Sequence, residues 1–467
     1  MSDQITSLNL HAPWRRILLF GPVVLALVCM WYVARWCMGN TMAEWLPDAS
    51  AAQAAIRLAP DDAQTHFTLA RLAEQSFEPE QLAAAVVEYE RAAALSPNDY
   101  RLWFELGRVR GLAGDDAGAE RALRRAVELA PNYPDPHWYL GNLLLRTGRD
   151  GAAFAELRRA AEEQPARFRP QVFELAWHMT AGNVPNVVAA VGDTPATRAD
   201  LIAFLLNRKP ADEAARKSEL AEAVKLWQSF DAAQHTAYRA TGEKLRDTFL
   251  AAKQYKAVLA VEHDLGAGHD DADGGTPAEE QLLNGGFELP VGPAGHTWYG
   301  WQVAPPAQTQ INLDERQRHA GARSLRIVFN AKDPLDFHHV SQLVVVVPQT
   351  HYRLSYYVRA EELQSASTVL TEVWDATAEP AHLLVASAPL ATGTSDWQEV
   401  ALEFTTGAQT EAINVRLNRP PCPQPLCPLF GKVWYDDFNL QRLGGDHAVE
   451  RTAARAADHT AAGHAAR

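Results

Sequence analysis

Flat aromatic faces stack on the apolar faces of pyranose rings, and one stretch of this chain collects such side chains: Trp298, Tyr299, Trp301, Phe337, Tyr357 and Trp374. Arg416 and Asn414 share the polar face of one alternating segment and could bond sugar hydroxyls. Most large aromatics in a sheet protein are core. Trp298-Tyr299-Gly300-Trp301 differs, because its large rings are not expected all to point inward from so short a segment.

Other chemistry is weaker. Asp336, His338, His339 and His351 suggest a metal or acid–base cluster, but adjacent histidines on a strand would point to opposite faces, so no catalytic residue is assigned. No nucleophilic triad order, phosphate loop or dinucleotide fingerprint stands in a usable context. Cys422 and Cys427 bracket a proline-stiffened loop that could close as a disulfide ring in an oxidising compartment. Two free thiols are the alternative, and the pair lacks the four ligands of a structural zinc site.

The elements that position these residues read as strands: Thr309 to Leu313, Ser324 to Phe329, Val340 to Val347, His351 to Ala360, Thr368 to Asp375, Trp397 to Phe404, Ala412 to Asn418 and Lys432 to Leu440. Most alternate. Leu325, Ile327 and Phe329 share a face, as do Tyr352, Leu354, Tyr356 and Val358, and Ile413, Val415 and Leu417. Leu343 to Val347 is apolar on both faces, which predicts a central strand covered on both sides. Together these segments predict a two-sheet sandwich.

Asn284-Gly-Gly-Phe-Glu288, the run from His319 through Ser324 to Ile327, Asp396-Trp397, and Val433-Trp-Tyr-Asp-Asp-Phe438 occur in that order. Residues 282–443 thereby resemble carbohydrate-binding modules of the family-4/9 and family-22 type, jelly-roll sandwiches of the galactose-binding-like class. The resemblance implies adjacent first and last strands, which would bring Glu288 near Asp436 and Asp437. It also implies a structural Ca²⁺ held by Glu288 and one of the two aspartates, an ion that takes hard oxygen ligands.

Upstream lies an internal repeat. Trp103, Leu106, Gly107, Ala119, Leu123, Ala126 and Pro131 recur 34 residues later as His137, Leu140, Gly141, Ala153, Leu157, Ala160 and Pro165. The pattern resembles the tetratricopeptide repeat, and Leu69-Ala70, Ala85, Tyr89, Ala92 and Pro97 form an earlier copy. Repeats would occupy 48–167, and a helical extension or cap 168–265. A flexible linker is expected over 266–281 and a disordered Ala-rich tail over 444–467.

Ile17 to Ala34 is 18 residues without charge, about 27 Å of helix, enough to span a bilayer. Arg15-Arg16 precede it, while Arg35, Glu44 and Asp48 follow, so residues 1–16 are expected as a cytoplasmic tail and the bulk outside. A cleavable signal sequence is the competing reading, but no small-x-small site follows closely. A formal charge of -14 and the lack of a basic stripe argue against nucleic acid.

The sequence thus predicts a multidomain chain: one transmembrane helix (17–34), an all-α tetratricopeptide-type solenoid and an all-β jelly-roll sandwich. Its expected role is a non-catalytic scaffold at a bacterial inner membrane, holding a protein partner on the repeats and a glycan on the sandwich during surface-polysaccharide assembly. A protein–protein scaffold whose sandwich has lost sugar binding is the alternative.

Overall fold

The computed structural model describes residues 13–45, 48–76, 78–210, 212–266, 277–293, 297–304, 307–333, 335–422 and 426–444. Most of the expected cytoplasmic tail, linker and C-terminal tail lie outside the described residues. The chain divides into two compact units, residues 1–197 and 198–467.

In the first unit, helix α1 (Pro13–Trp45) runs well past the predicted span. Its stretch Phe20–Trp45 is long and apolar enough to cross a membrane. The end of α1 also packs onto the helices that follow. Arg35 donates from Nε to Leu58 O and from Nη2 to Arg57 O, both at 2.7 Å, closing carbonyls at the end of α2 (Ala49–Leu58). Asn40 donates to Asp62, and Ala43 is buried.

Helical hairpins follow: α3 (Ala63–Glu74) with α4 (Pro79–Leu95), α5 (Tyr100–Leu112) with α6 (Asp116–Leu129), and α7 (Pro134–Arg146) with α8 (Asp150–Glu163). Asp99 and Asp115 cap α5 and α6 by accepting from the Arg101 and Gly118 amides. The repeated glycine permits close approach. A Cβ on Gly107 would sit 2.6 Å from Leu123 Cγ, and one on Gly141 2.7 Å from Leu157 Cγ. Ala70, Ala85, Tyr89 and Ala92 bury the earlier copy in the same way. Helices α9 (Pro165–Met179) and α10 (Val184–Val191) continue the unit.

The second unit begins within α11 (Pro195–Asn207) and continues through α12 (Glu213–Gln228), α13 (Ala232–Ala237), α14 (Arg239–Ala251) and α15 (Tyr255–Leu265). Its strands are β1 (Gly292–Pro293), β2 (Gln302–Val303), β3 (Thr309–Asp314), β4 (Ser324–Ala331), β5 (Val340–Val345), β6 (His351–Gln364), β7 (Leu370–Asp375), β8 (His382–Ala386), β9 (Gly393–Thr405), β10 (Ala412–Asn418) and β11 (Leu429–Leu443). They form two facing sheets of order β1-β2-β5-β10-β7-β8 and β3-β4-β11-β6-β9. Pairing is antiparallel except between β1 and β2. The predicted alternation holds: Leu325, Ile327, Phe329, Tyr352, Leu354, Tyr356, Ile413, Val415 and Leu417 enter one core. Each such fully buried large side chain contributes about 1.5–3 kcal/mol.

The sandwich closes differently from expectation. The first and last predicted strands, β3 and β11, are not side by side, because β4 lies between them and β6 takes the other edge of β11, while Asn284 to Glu288 forms no strand. The segment is a looped plug: Asn284 accepts from the Leu289 amide and donates to Leu289 O, Phe287 is buried, and Phe438 N donates to Gly285 O at 2.9 Å.

Strand β5 is covered on both faces. Val340 and Val344 enter the sandwich core, whereas Leu343 and Val345 pack outward with Tyr255, Leu259 and Leu250 of α14 and α15. Tyr255 donates to Ala376 O and Lys253 pairs with Glu379. The latter part of the expected solenoid cap thus lies in the same compact unit as the sandwich, because an apolar strand face must be buried.

Candidate functional site

The six-stranded sheet has a second, outward face. Alternation along β7 sends Glu372 and Trp374 outward while Val373 enters the core, and along β10 it sends Asn414, Arg416 and Asn418 outward. Antiparallel register places Arg416 opposite Glu372 on one side and Ser341 on the other, with Asn414 opposite Trp374. Neighbouring strands lie about 4.8 Å apart, so these side chains meet.

Glu372 is the hub. Its Oε2 accepts from Trp374 Nε1 at 2.7 Å and Arg416 Nε at 2.8 Å, and its Oε1 accepts from Asn418 Nδ2 at 2.9 Å. Burial works against its charge, but the bonds from Trp374, Asn418 and Arg416 outweigh it and hold its carboxyl below the usual carboxylate range. The Arg416 guanidinium lies over the Trp374 ring, 4.2 Å from its centroid. Both side chains are half-buried and held from below, while Leu383 on β8, opposite Trp374, is exposed. The result is a fixed polar array on a sheet face, suited to hydrogen-bonding hydroxyl-rich ligands. Glu372 is already ion-paired, so it lacks the free proton chemistry of a general acid.

The Trp298–Trp301 segment is corrected. Tyr299 and Trp301 are 4% and 3% exposed, and Trp301 donates from its indole to Asn284 O. Trp298 packs against the Tyr255 cluster and donates to Glu262 at 3.2 Å. These rings seal the sandwich and α15, so none of them serves as an open platform. Phe337 is likewise core. Tyr357 is separated from Trp374: it lies on the outer face of the other sheet, with the His319 ring stacked 3.5 Å from it.

Glu288, Asp436 and Asp437 do come together beneath the 319–323 loop, but they serve its backbone. Glu288 accepts from the Ala322 and Arg323 amides; Asp436, 0% exposed, accepts from His319, Ala320 and Asp437. Asp437 pairs with His319 Nδ1 at 2.6 Å. Burial pushes the Asp436 carboxyl up, with Asp437 adding to the rise, against the pull of its backbone donors. Calcium takes six to eight oxygen ligands, so an ion here would need further oxygens beside these carboxylates. Among the described residues, no three His, Cys, Asp or Glu side chains are arranged to hold a metal ion.

The remaining candidates are structural. Cys422 and Cys427 form a disulfide with Cα atoms 6.2 Å apart, and buried Arg419 ties it down by donating to Cys427 O, Ser367 O and Leu335 O. His338 and His339 precede β5, so strand alternation does not govern them and their rings stack 4.6 Å apart, contrary to the opposite-face expectation. His351 instead bonds Thr405. Glu372 and Asn418 escaped the sequence reading. Each lies two residues from a chosen side chain on the same strand face, which is the signal that could have found them.

Residues 279–424 match the family model described as a carbohydrate binding domain. Among solved structures, the chain is similar to a carbohydrate-binding module, "CBM4 structure and function", at 13% identity, covering 35% of this chain and 100% of that one with a TM-score of 0.26. It is also similar to MamA, at 18% identity over 31% of this chain and 82% of that one, TM-score 0.28. A third is YrrB, titled a TPR protein with an unusual peptide-binding site, at 16% identity over 47% and 92%, TM-score 0.24. No curated protein matches the chain significantly.

Proposed function

We propose that this protein is a non-catalytic, membrane-anchored scaffold that holds a glycan on the outward face of β10, β7 and β8 and a protein partner on its helical repeats. The observation that carries the glycan reading is the Glu372–Trp374–Arg416–Asn418 array, fixed by its own hydrogen bonds within a domain that matches a carbohydrate-binding family. The anchor reading is supported by α1, which continues as one helix from the apolar run into Arg35, Asn40 and Ala43, residues built into the first unit. Paired arginines ahead of the run favour an extracytoplasmic bulk at a bacterial inner membrane, and a role in surface-polysaccharide assembly fits that setting.

Affinity electrophoresis of the detergent-solubilised full chain through gels containing a panel of bacterial polysaccharides tests the reading. Retardation by at least one polysaccharide is expected, with loss of retardation in Trp374→Ala but not in Tyr357→Ala. The rival is a protein–protein scaffold without sugar binding. It draws on the Arg416 guanidinium covering a face of the Trp374 ring, and migration unchanged by every polysaccharide would favour it.

A further inference from the structure

Three helices of the solenoid place a nitrogen-bearing ring at one structural position. His66 on α3, Trp103 on α5 and His137 on α7 each bond the carbonyl of the proline six residues earlier: His66 Nε2 to Pro60 O at 2.9 Å, Trp103 Nε1 to Pro97 O at 2.9 Å, and His137 Nε2 to Pro131 O at 2.8 Å. An indole nitrogen is a donor only, and a carbonyl oxygen an acceptor only, so the bond requires an N–H from every ring. The two histidines carry a second bond that tryptophan lacks. His66 Nδ1 lies 2.6 Å from Glu88 Oε2, and His137 Nδ1 lies 2.6 Å from Glu156 Oε2.

Each imidazole therefore stands between two acceptors. A neutral imidazole has one N–H and one lone pair, so it could serve only one of them and would turn its lone pair on the other. The imidazolium serves both. Both rings are buried, at 4% and 5% exposure, so water does not replace a lost partner.

We propose that His137 is a protonated staple that makes the α7–α8 hairpin of the solenoid sensitive to pH, while the preceding Trp103 hairpin is not. The charged groups facing His137 are Glu156 and Arg159 of α8, with the turn between α6 and α7 contributing the Pro131 carbonyl; His66 faces Glu88 of α4 and the Pro60 carbonyl. Burial pulls the His137 ring down, but Glu156 and the Pro131 carbonyl outweigh it and raise it above 6.5. A raised histidine contributes stability that is complete below its unfolded value near 6.5 and is lost as pH rises through the folded value. A solenoid that binds a partner would thus loosen at α7–α8 before α5–α6.

Hydrogen exchange of the full chain in detergent between pH 6 and 9, corrected for intrinsic rates, tests this. Protection in α7–α8 should fall by about tenfold per pH unit across the window between unfolded and folded values, and protection in α5–α6 should stay flat. His137→Trp, the residue native at position 103, should abolish the fall in α7–α8. Glu156→Gln leaves the ring with an amide that tolerates the neutral form and should move the fall to lower pH. Nitrogen-15 imidazole spectra at pH 6 should show both nitrogens of His137 protonated. A neutral ring there, or protection falling equally in α5–α6 and α7–α8, would overturn the proposal.

Discussion

Two carboxylate clusters in the sandwich each hold several hydrogen bonds, yet they do different work. Asp436 and Glu288 spend their oxygens on backbone amides of the 319–323 loop, and Asp436 is wholly buried. Glu372 spends its oxygens on the side chains of Trp374, Arg416 and Asn418, which lie on an open sheet face. A carboxylate that orders backbone closes a fold, whereas one that orders side chains fixes a surface on which something else can bind.

That contrast breaks first under truncation. Asp436→Ala orphans amides of His319, Ala320 and Asp437 and should cost about 3–5 kcal/mol in the unfolding transition of the second unit. Glu372→Ala should cost only about 1–2 kcal/mol, but it releases Arg416 and Trp374 and should weaken glycan affinity at least about tenfold. Urea titration and calorimetry of both variants check this, and equal stability losses would erase the distinction.

Acid titration should separate the clusters by sign. The Glu372 carboxyl is held low, so its stabilisation is present above 4.5 and is lost as pH falls through the folded value. The Asp436 carboxyl is pushed up from 3.8, so its contribution grows as pH falls through the folded value and levels off below 3.8. Glu372→Gln should flatten the first dependence and Asp436→Asn the second, as followed by unfolding midpoints. The smallest effect concerns calcium: with several Glu288 and Asp436 oxygens held by backbone amides, adding it or a chelator should move the midpoint by less than about 1 °C. A clear calcium-dependent rise would show that Glu288, Asp436 and Asp437 keep open ligand positions.

How legible these features were depended on whether the information is local. Leu343 to Val347 announced a strand covered on both faces, but nothing in those residues said that Tyr255 and Leu259 would be the cover. The 34-residue glycine position was readable because close helix approach imposes it within one hairpin. Alternation gave the outward sense of Arg416, whereas its pairing with Glu372 depends on which strand lies beside β10, a choice made by the whole sheet. The Trp298–Trp301 segment misled because its density of rings reflects a seal between a loop and α15. Strands β1 and β2, of two residues each, are too short to show a period.

The central claim is that the Trp374–Arg416 face binds glycan. Isothermal titration of the polysaccharide fragment that most retards the full chain, against wild type, Trp374→Ala and Arg416→Ala, tests it most directly. The account predicts measurable binding by wild type and a loss of at least about tenfold in each variant, with the unfolding midpoint of Arg416→Ala close to that of wild type. Equal binding by all three proteins would contradict it.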